Sequence, residues 1–120
     1  MKIVGVNHVQ VNVSPAELAK ARDFYLEFLG MSEIHRPDIF KSQGFWFSAG
    51  GREMHIGVEE NVDRKATRAH VAYEVDDVVA WRRKIEAANL PIKDQPKIPG
   101  FDRFHFRDPF GNNGELIGRI

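Results

Sequence analysis

Apolar and polar residues alternate at both ends of each half of this chain. The stretch from Ile3 to Val13 alternates well enough to predict a strand, with Val9, Val11 and Val13 on one face and His8, Gln10 and Asn12 on the other. Ser14, Pro15 and Glu17 then have the spacing of a capping box with proline at the first helical position. Val13 and Leu18 are placed to form a hydrophobic staple across that cap. Leu18, Ala21, Tyr25, Phe28 and Leu29 follow helical spacing, and Gly30 is placed to stop the helix. Strands are expected at about Met31 to Arg36, Gly44 to Ala49 and Arg52 to Val58. Pro37 separates the first two, and Gly50-Gly51 makes a tight turn between the last two.

The polar stretch Glu59 to Thr67 has no periodicity and reads as a linker. After it the same order returns. His70 to Val75 alternates, with Val71, Tyr73 and Val75 opposite His70, Ala72 and Glu74. Asp76 is expected to cap a helix running to about Ala88, with Val79, Ile85 and Ala88 buried and with Asn89 and Pro91 as stops. Strands follow near Ile92, from Phe101 to Arg107 and from Gly114 to Ile120. The turn Asp108-Pro109-Phe110-Gly111-Asn112 joins the last two and is rich in turn formers. Subtraction aligns the halves: His8 and His70 differ by 62, as do Ser14 and Asp76; Gly30 and Asn89 differ by 59; Gly51 and Gly111 differ by 60, as do His55 and Glu115. Five offsets in order point to a duplicated β-α-β-β-β unit.

Period 2 sorts the polar residues of each half. The valines of the first strand must face the helix, so His8 and His70 fall on the open face. In the last strands Met54, Ile56 and Val58 are expected inside, with Glu53, His55 and Gly57 opposite. Leu116 and Ile120 are likewise expected inside, with Glu115 opposite. Each half therefore offers one potential metal ligand from its first strand and one from its last: His8 and His55, then His70 and Glu115. A cleft between two such sheets would let them meet around one divalent ion. The structural alternative is a metal-free cleft that these side chains merely line.

Composition narrows the chemistry. Cysteine is absent, so disulfides, thiolate nucleophiles and Cys-type zinc sites are excluded and any metal needs His, Asp or Glu. Seventeen basic and 17 acidic residues cancel, so there is no basic footprint and nucleic acid is not an expected partner. No apolar run reaches the roughly 18 residues of a membrane span. Met1 to Gly5 lacks the apolar region of a signal peptide, so a cytoplasmic location is expected. Arg103, His105 and Arg107 alternate with Phe104 and Phe106. If the phenylalanines face the helix, Arg103 and His105 line the cleft, where they could bind an anionic or oxygen-rich substrate together with Gln10 and Asn12. Phe45 and Phe47, or Trp46, are candidates for an apolar wall. His35, at a strand end before Arg36-Pro37, is expected to be exposed.

Several motifs resemble the vicinal oxygen chelate superfamily, the group of glyoxalases, bleomycin resistance proteins and extradiol dioxygenases. They are Asn7-His8-Val9, Ala21-Arg22-Asp23-Phe24-Tyr25 with Phe28-Leu29-Gly30, Ala69 to Val75, and Arg107 to Asn112 closing on Glu115-Leu116. The resemblance implies an α+β fold: two tandem βαβββ modules forming a cupped mixed β-sheet. It implies one domain over residues 1–120, with module one at 1–60, a linker at about 59–67 and module two at 68–120. It carries the metal-ligand role onto His8, His55, His70 and Glu115, around a divalent ion such as Zn, Ni, Mn or Fe. The glyoxalase lyases usually carry Glu where this chain has His55, which leaves Glu115, or a nearby carboxylate such as Glu53 or Glu74, as the candidate base. The fosfomycin-inactivating transferases and the dioxygenases are similar through a His, His, Glu set, here His8, His70 and Glu115. The expected function is therefore a metal-dependent enzyme acting on a small oxygenated metabolite or xenobiotic, with a homodimer as the expected assembly. The alternative is a metal-free protein that sequesters a small molecule, as bleomycin-resistance members do.

Overall fold

The computed structural model describes residues Met1–Ile120. It divides the chain into two compact units, Met1–Val62 and Asp63–Ile120, with the boundary inside the polar linker. The first unit contains β1 (His8–Val13), α1 (Leu18–Asp23), β2 (Ser32–Ile34), β3 (Gly44–Ala49) and β4 (Arg52–Val58). The second contains β5 (His70–Glu74), α2 (Val78–Ala87), β6 (Ile92–Asp94), β7 (Phe101–Arg107) and β8 (Asn113–Arg119). The sheet orders are β1-β4-β3-β2 and β5-β8-β7-β6. In each, the first strand runs parallel to the last and the other pairings are antiparallel. The duplicated βαβββ unit is thus present twice, in the same topology.

Local chemistry explains the connections. Glu17 accepts from the Ser14 amide (3.1 Å) and hydroxyl (2.8 Å), which fixes the entry to the first helical segment. That segment tightens to a 3-10 turn over Pro15–Glu17 and widens to a π turn over Phe24–Phe28 on either side of α1. Gly30 ends it at φ +77°, and the Met31 amide reaches back to the Tyr25 carbonyl (3.1 Å). Gly50 and Gly51, at φ +56° and +86°, make the hairpin turn between β3 and β4. Between β7 and β8, buried Asp108 accepts from the amides of Phe110 (2.9 Å) and Asn112 (2.8 Å), so the Asp-Pro-Phe-Gly-Asn run is turn chemistry, as the sequence implies.

Four expectations are corrected. Ile120 lies beyond the end of β8 and is exposed, not inside. The first strand does not start at Ile3; it starts at His8, because its partner β4 begins at Arg52 and the Gly50-Gly51 turn leaves nothing further to pair with. Ile3, Val4 and Val6 are consequently exposed. The second helix is capped by Asp77, whose carboxylate accepts from the Ala80 amide (2.9 Å), and not by Asp76. Its buried face follows from that shift. Val78 and Ile85 are inside, with Trp81 and Arg82 half-buried between them, while Val79 and Ala88 are exposed.

Each unit has its own core between helix and sheet. Val13, Leu18, Ala21, Tyr25, Phe47, Met54 and Ile56 fill the first. Val78, Ile85, Phe104, Phe106, Phe110 and Leu116 fill the second. Phe47 is wholly buried while its neighbour Trp46 lies on the opposite, half-buried face. Phe47→Ala is therefore expected to lower stability by about 3–5 kcal/mol. Trp46→Ala, which removes mainly ring stacking, should lower it by no more than about 1–2 kcal/mol. Urea unfolding of both variants checks the assignment of faces, and equal losses would contradict it.

Candidate metal centre

The parallel pairing of first and last strands brings the predicted ligand positions together within each unit. In the first unit the rings of His8 and His55 stack at 4.1 Å, and Trp46 stacks on the other side of His55 at 4.0 Å. His55 is buried between them, and its Nε2 lies 2.9 Å from the Glu53 carboxylate. Because a carboxylate accepts, that nitrogen carries the proton. His8 is exposed, and its Nδ1 is 3.0 Å from the Asn7 side-chain oxygen, which leaves Nε2 for a ligand. Trp46 is therefore the aromatic wall of this face, and Phe47 belongs to the core.

In the second unit Glu115 is buried, and its two oxygens do different things. Oε1 accepts from Nε of Arg103, which also donates to the Pro96 carbonyl (2.7 Å). Oε2 faces two imidazoles, with His70 Nε2 at 3.1 Å and His105 Nε2 at 3.5 Å. Burial alone would raise the Glu115 pKa. The hydrogen bond and charge of Arg103 outweigh it, with His105 and His70 adding to them, so the carboxyl is held below its ordinary value. Burial pushes the His105 pKa down against the pull of Glu115, so the ring favours its neutral form.

The outer nitrogen of His70 is held in place. His70 Nδ1 lies 3.0 Å from the Arg68 carbonyl, which only accepts, so Nδ1 carries a proton. Asn113 donates to the same carbonyl (3.3 Å) and hydrogen-bonds the His105 ring. His105 Nε2 is buried and makes no hydrogen bond. The donor atoms of His70, His105 and Glu115 all lie within 4.8 Å of one another. Two donors at about 2.1 Å from one ion stand about 3.0–3.4 Å apart in octahedral or tetrahedral geometry. The His70–Glu115 spacing already has that value. Two imidazoles and a carboxylate, with His70 and Glu115 oriented through their far atoms, form a donor set suited to a borderline divalent cation.

Other predicted residues are placed as follows. Gln10 donates to Asn12 (2.9 Å) and Asn12 to Glu59 (3.2 Å), both on the His8 side of β1. Gly57 leaves them room, since a β-carbon there would stand 2.5 Å from the Gln10 amide. Arg107 is held by three carbonyls, those of Arg64, Thr67 and Gly111, and so ties the linker to the β7–β8 turn. His35 is exposed, as expected. Sequence reasoning did not single out Asn113 or the Arg68 carbonyl as supports. Asn113 could have been found, because it stands two residues before Glu115 on the same strand face, as Glu53 does before His55.

The Arg103–Glu115 pair has a stability consequence. A carboxylate with a depressed folded-state pKa contributes stability that is fully present above its unfolded pKa, about 4.3, and is lost as pH falls through the folded value. In chelator, Glu115→Gln is expected to cost about 1.5–3 kcal/mol at neutral pH. The gap to the unsubstituted chain should close under acid. Urea unfolding at a series of pH values measures it, and a gap independent of pH would contradict the ion pair.

Comparisons with known proteins agree with this architecture. A model of the Glyoxalase/Bleomycin resistance protein/Dioxygenase superfamily matches residues 5–116. A glyoxalase family protein from Bacillus anthracis is 36% identical with a TM-score of 0.87, over 100% of this chain and 98% of that one. The fosfomycin resistance protein FosX from Listeria monocytogenes, as a mutant complexed with Mn(II) and 1S,2S-dihydroxypropylphosphonic acid, is 21% identical with a TM-score of 0.82, over 99% and 95% of the two chains. Lactoylglutathione lyase from Agrobacterium tumefaciens is 19% identical with a TM-score of 0.73, over 98% and 95%. At those identities the likeness to FosX and to the lyase is one of fold. None of the curated proteins matches. On the family match and the Bacillus anthracis likeness together, this chain belongs to the Glyoxalase/Bleomycin resistance protein/Dioxygenase superfamily.

Proposed function

We propose that residues 1–120 act as one domain, a metal-dependent enzyme working on a small oxygen-bearing metabolite or xenobiotic. The observation that carries this reading is the His70–Glu115 contact. Nε2 and Oε2 face each other at 3.1 Å, while Nδ1 and Oε1 are each held from behind. Two groups that both offer lone pairs at that distance repel unless a proton or a cation lies between them. The ligand-type side chains on the open faces are the metal-binding residues in this reading: His8 and His55 in the first unit, His70 and Glu115 in the second. The shared fold of FosX, which is complexed with Mn(II), supports a divalent ion of the Zn, Ni, Mn or Fe type.

A bound divalent ion supplies a Lewis acid that polarises neighbouring substrate oxygens. The protein's own groups do the rest. Arg103 fixes the rotamer of Glu115 and keeps it anionic. Glu115 is the one carboxylate of the cluster, so proton transfer with substrate falls to it. Arg68, Lys93, Arg103 and Arg107 surround the same concave surface as His70 and His105, which favours an anionic or oxygen-rich substrate. Gln10 and Asn12 are polar substrate contacts on the first unit's open face. The exposed apolar residues Ile3, Val4 and Val6 support a homodimer as the working assembly.

Metal analysis and calorimetry test the proposal. Protein purified without chelator and titrated with Zn(II), Ni(II), Mn(II) or Fe(II) is expected to bind about one equivalent. His8→Ala and Glu115→Ala should each weaken binding by at least about tenfold. Less than about a tenth of an equivalent with every ion would rule out the metal enzyme and favour a metal-free binding protein.

A further inference from the structure

The repeat makes His105 unusual. In the strand register Trp46 lies opposite His55, and His105 lies opposite Glu115 in the same way. The first unit fills this position with a ring that stacks on its neighbour and has no ligand atom directed at it. The second unit fills it with an imidazole. Nothing in the duplication requires that: an aromatic ring packs equally well there, as Trp46 demonstrates.

The surroundings of His105 prepare it for one kind of contact. Asn113, whose amide donates to the Arg68 carbonyl (3.3 Å), stands beside the ring. Nε2 is buried, makes no hydrogen bond, and lies 3.5 Å from Glu115 Oε2. The Arg68 carbonyl orients His70 through its Nδ1 (3.0 Å). Three potential donor atoms converge: His70 Nε2, His105 Nε2 and Glu115 Oε2. His70 and Glu115 are already held from their far sides, by the Arg68 carbonyl and by Arg103. Orienting the outer nitrogen of a histidine through a carbonyl or an amide is how proteins prepare a metal ligand. An unpaired buried nitrogen otherwise costs about 1–3 kcal/mol.

We propose that His105 is itself a metal ligand, so that His70, His105 and Glu115 form a three-donor face contributed entirely by the second unit. This inference rests on the metal-dependent reading above and adds a ligand that lies on neither a first nor a last strand. His70 Nε2 and His105 Nε2 already lie 3.1 Å and 3.5 Å from Glu115 Oε2, and the widest separation, within 4.8 Å, has to close by no more than about 1.4–1.8 Å to the roughly 3.0–3.4 Å that a shared ion imposes.

The test uses the full chain and Zn(II) as the probe. Titration calorimetry compares the unsubstituted protein with His105→Phe, which keeps a ring in the position as Trp46 does in the first unit. The expected result is a loss of affinity of at least about 100-fold, comparable to that of His70→Ala. A side-chain nitrogen NMR spectrum of the unsubstituted, 15N-histidine-labelled protein gives a second measure that does not depend on any variant folding. On saturation with Zn(II), the Nε2 resonances of both His70 and His105 should move to metal-bound values. If Zn(II) binds but the His105 resonance stays put and His105→Phe binds as tightly, His105 is not a ligand and the metal reading stands without it. If Zn(II) does not bind at all, both fail.

Discussion

The parallel pairing of the first and last strands in each unit is the constraint on which the site depends. A parallel pair needs a crossover, and here the helix and two strands between them supply it. The crossover helix covers one face of the sheet and buries Val13, Phe47, Met54 and Ile56 in the first unit and Phe104, Phe106 and Leu116 in the second. Once that face is fixed, the period of the strand leaves His8, His55, His70 and Glu115 no choice but the other one. Adjacent strands stand about 4.8 Å apart, so side chains on neighbouring strands of that face must touch. The His8–His55 stack and the His70–Glu115 contact are what this geometry produces from different residue types.

The two units share a backbone plan and differ in what they do with it. In the first, the three rings of His8, His55 and Trp46 stack in a row, and Glu53 anchors the central one. Most of the polar atoms there are engaged inside the unit. In the second, the equivalents of His55 and Trp46 are Glu115 and His105, and stacking gives way to convergent lone pairs. Stacked rings are satisfied by dispersion and by their edges, whereas a carboxylate facing two imidazoles needs a proton or a cation between them. The same backbone plan therefore holds aromatic stacking on one face and an ionisable cluster on the other. The first unit's pair, His8 and His55, would have to loosen a stack to bind an ion, whereas His70 and Glu115 already stand at the right spacing.

Much of this was legible in the sequence because it depends on local signals. The capping box at Ser14, the glycine stops, the Gly50-Gly51 hairpin and the Asp108 turn all follow from residue types with one conformational use. So did the open-face assignment of the ligand positions, which needs only the strand period. What was not legible depends on partners distant in sequence. The start of β1 is set by the length of β4, which no pattern inside Ile3 to Val13 reveals. The phase of α2 is set by Asp77 reaching the Ala80 amide, and Asp76 is an equally good cap by residue type. Arg103 read as a substrate contact because alternation puts it on the open face. It is on that face, but its nearest partner is Glu115, across one strand pairing. Asn113 as the support of His105 has the same character: the face can be read, but not the contact.

Charge gives the second unit a further property. The chain as a whole is neutral, yet Arg68, Lys93, Arg103 and Arg107 line one concave surface around His70 and His105, with Glu115 as the carboxylate beside them. Arg103 and Glu115 neutralise each other, and Arg107 is held on three carbonyls, which leaves Arg68 and Lys93 facing solvent without a carboxylate of their own. On the proposed metal-dependent reading, a lone divalent cation entering this field would meet repulsion that the His70, His105 and Glu115 cluster has to overcome. An anion entering with it, or already bound, removes that repulsion and is itself drawn to both the cation and the two free basic side chains. Affinity for the two is then coupled: each strengthens the other by the same factor, as linkage requires. On the proposed metal-dependent reading, a surface of this kind would favour substrates that bring a negative charge close to a pair of oxygens. That preference comes from the basic residues around the cluster and not from the donor atoms within it.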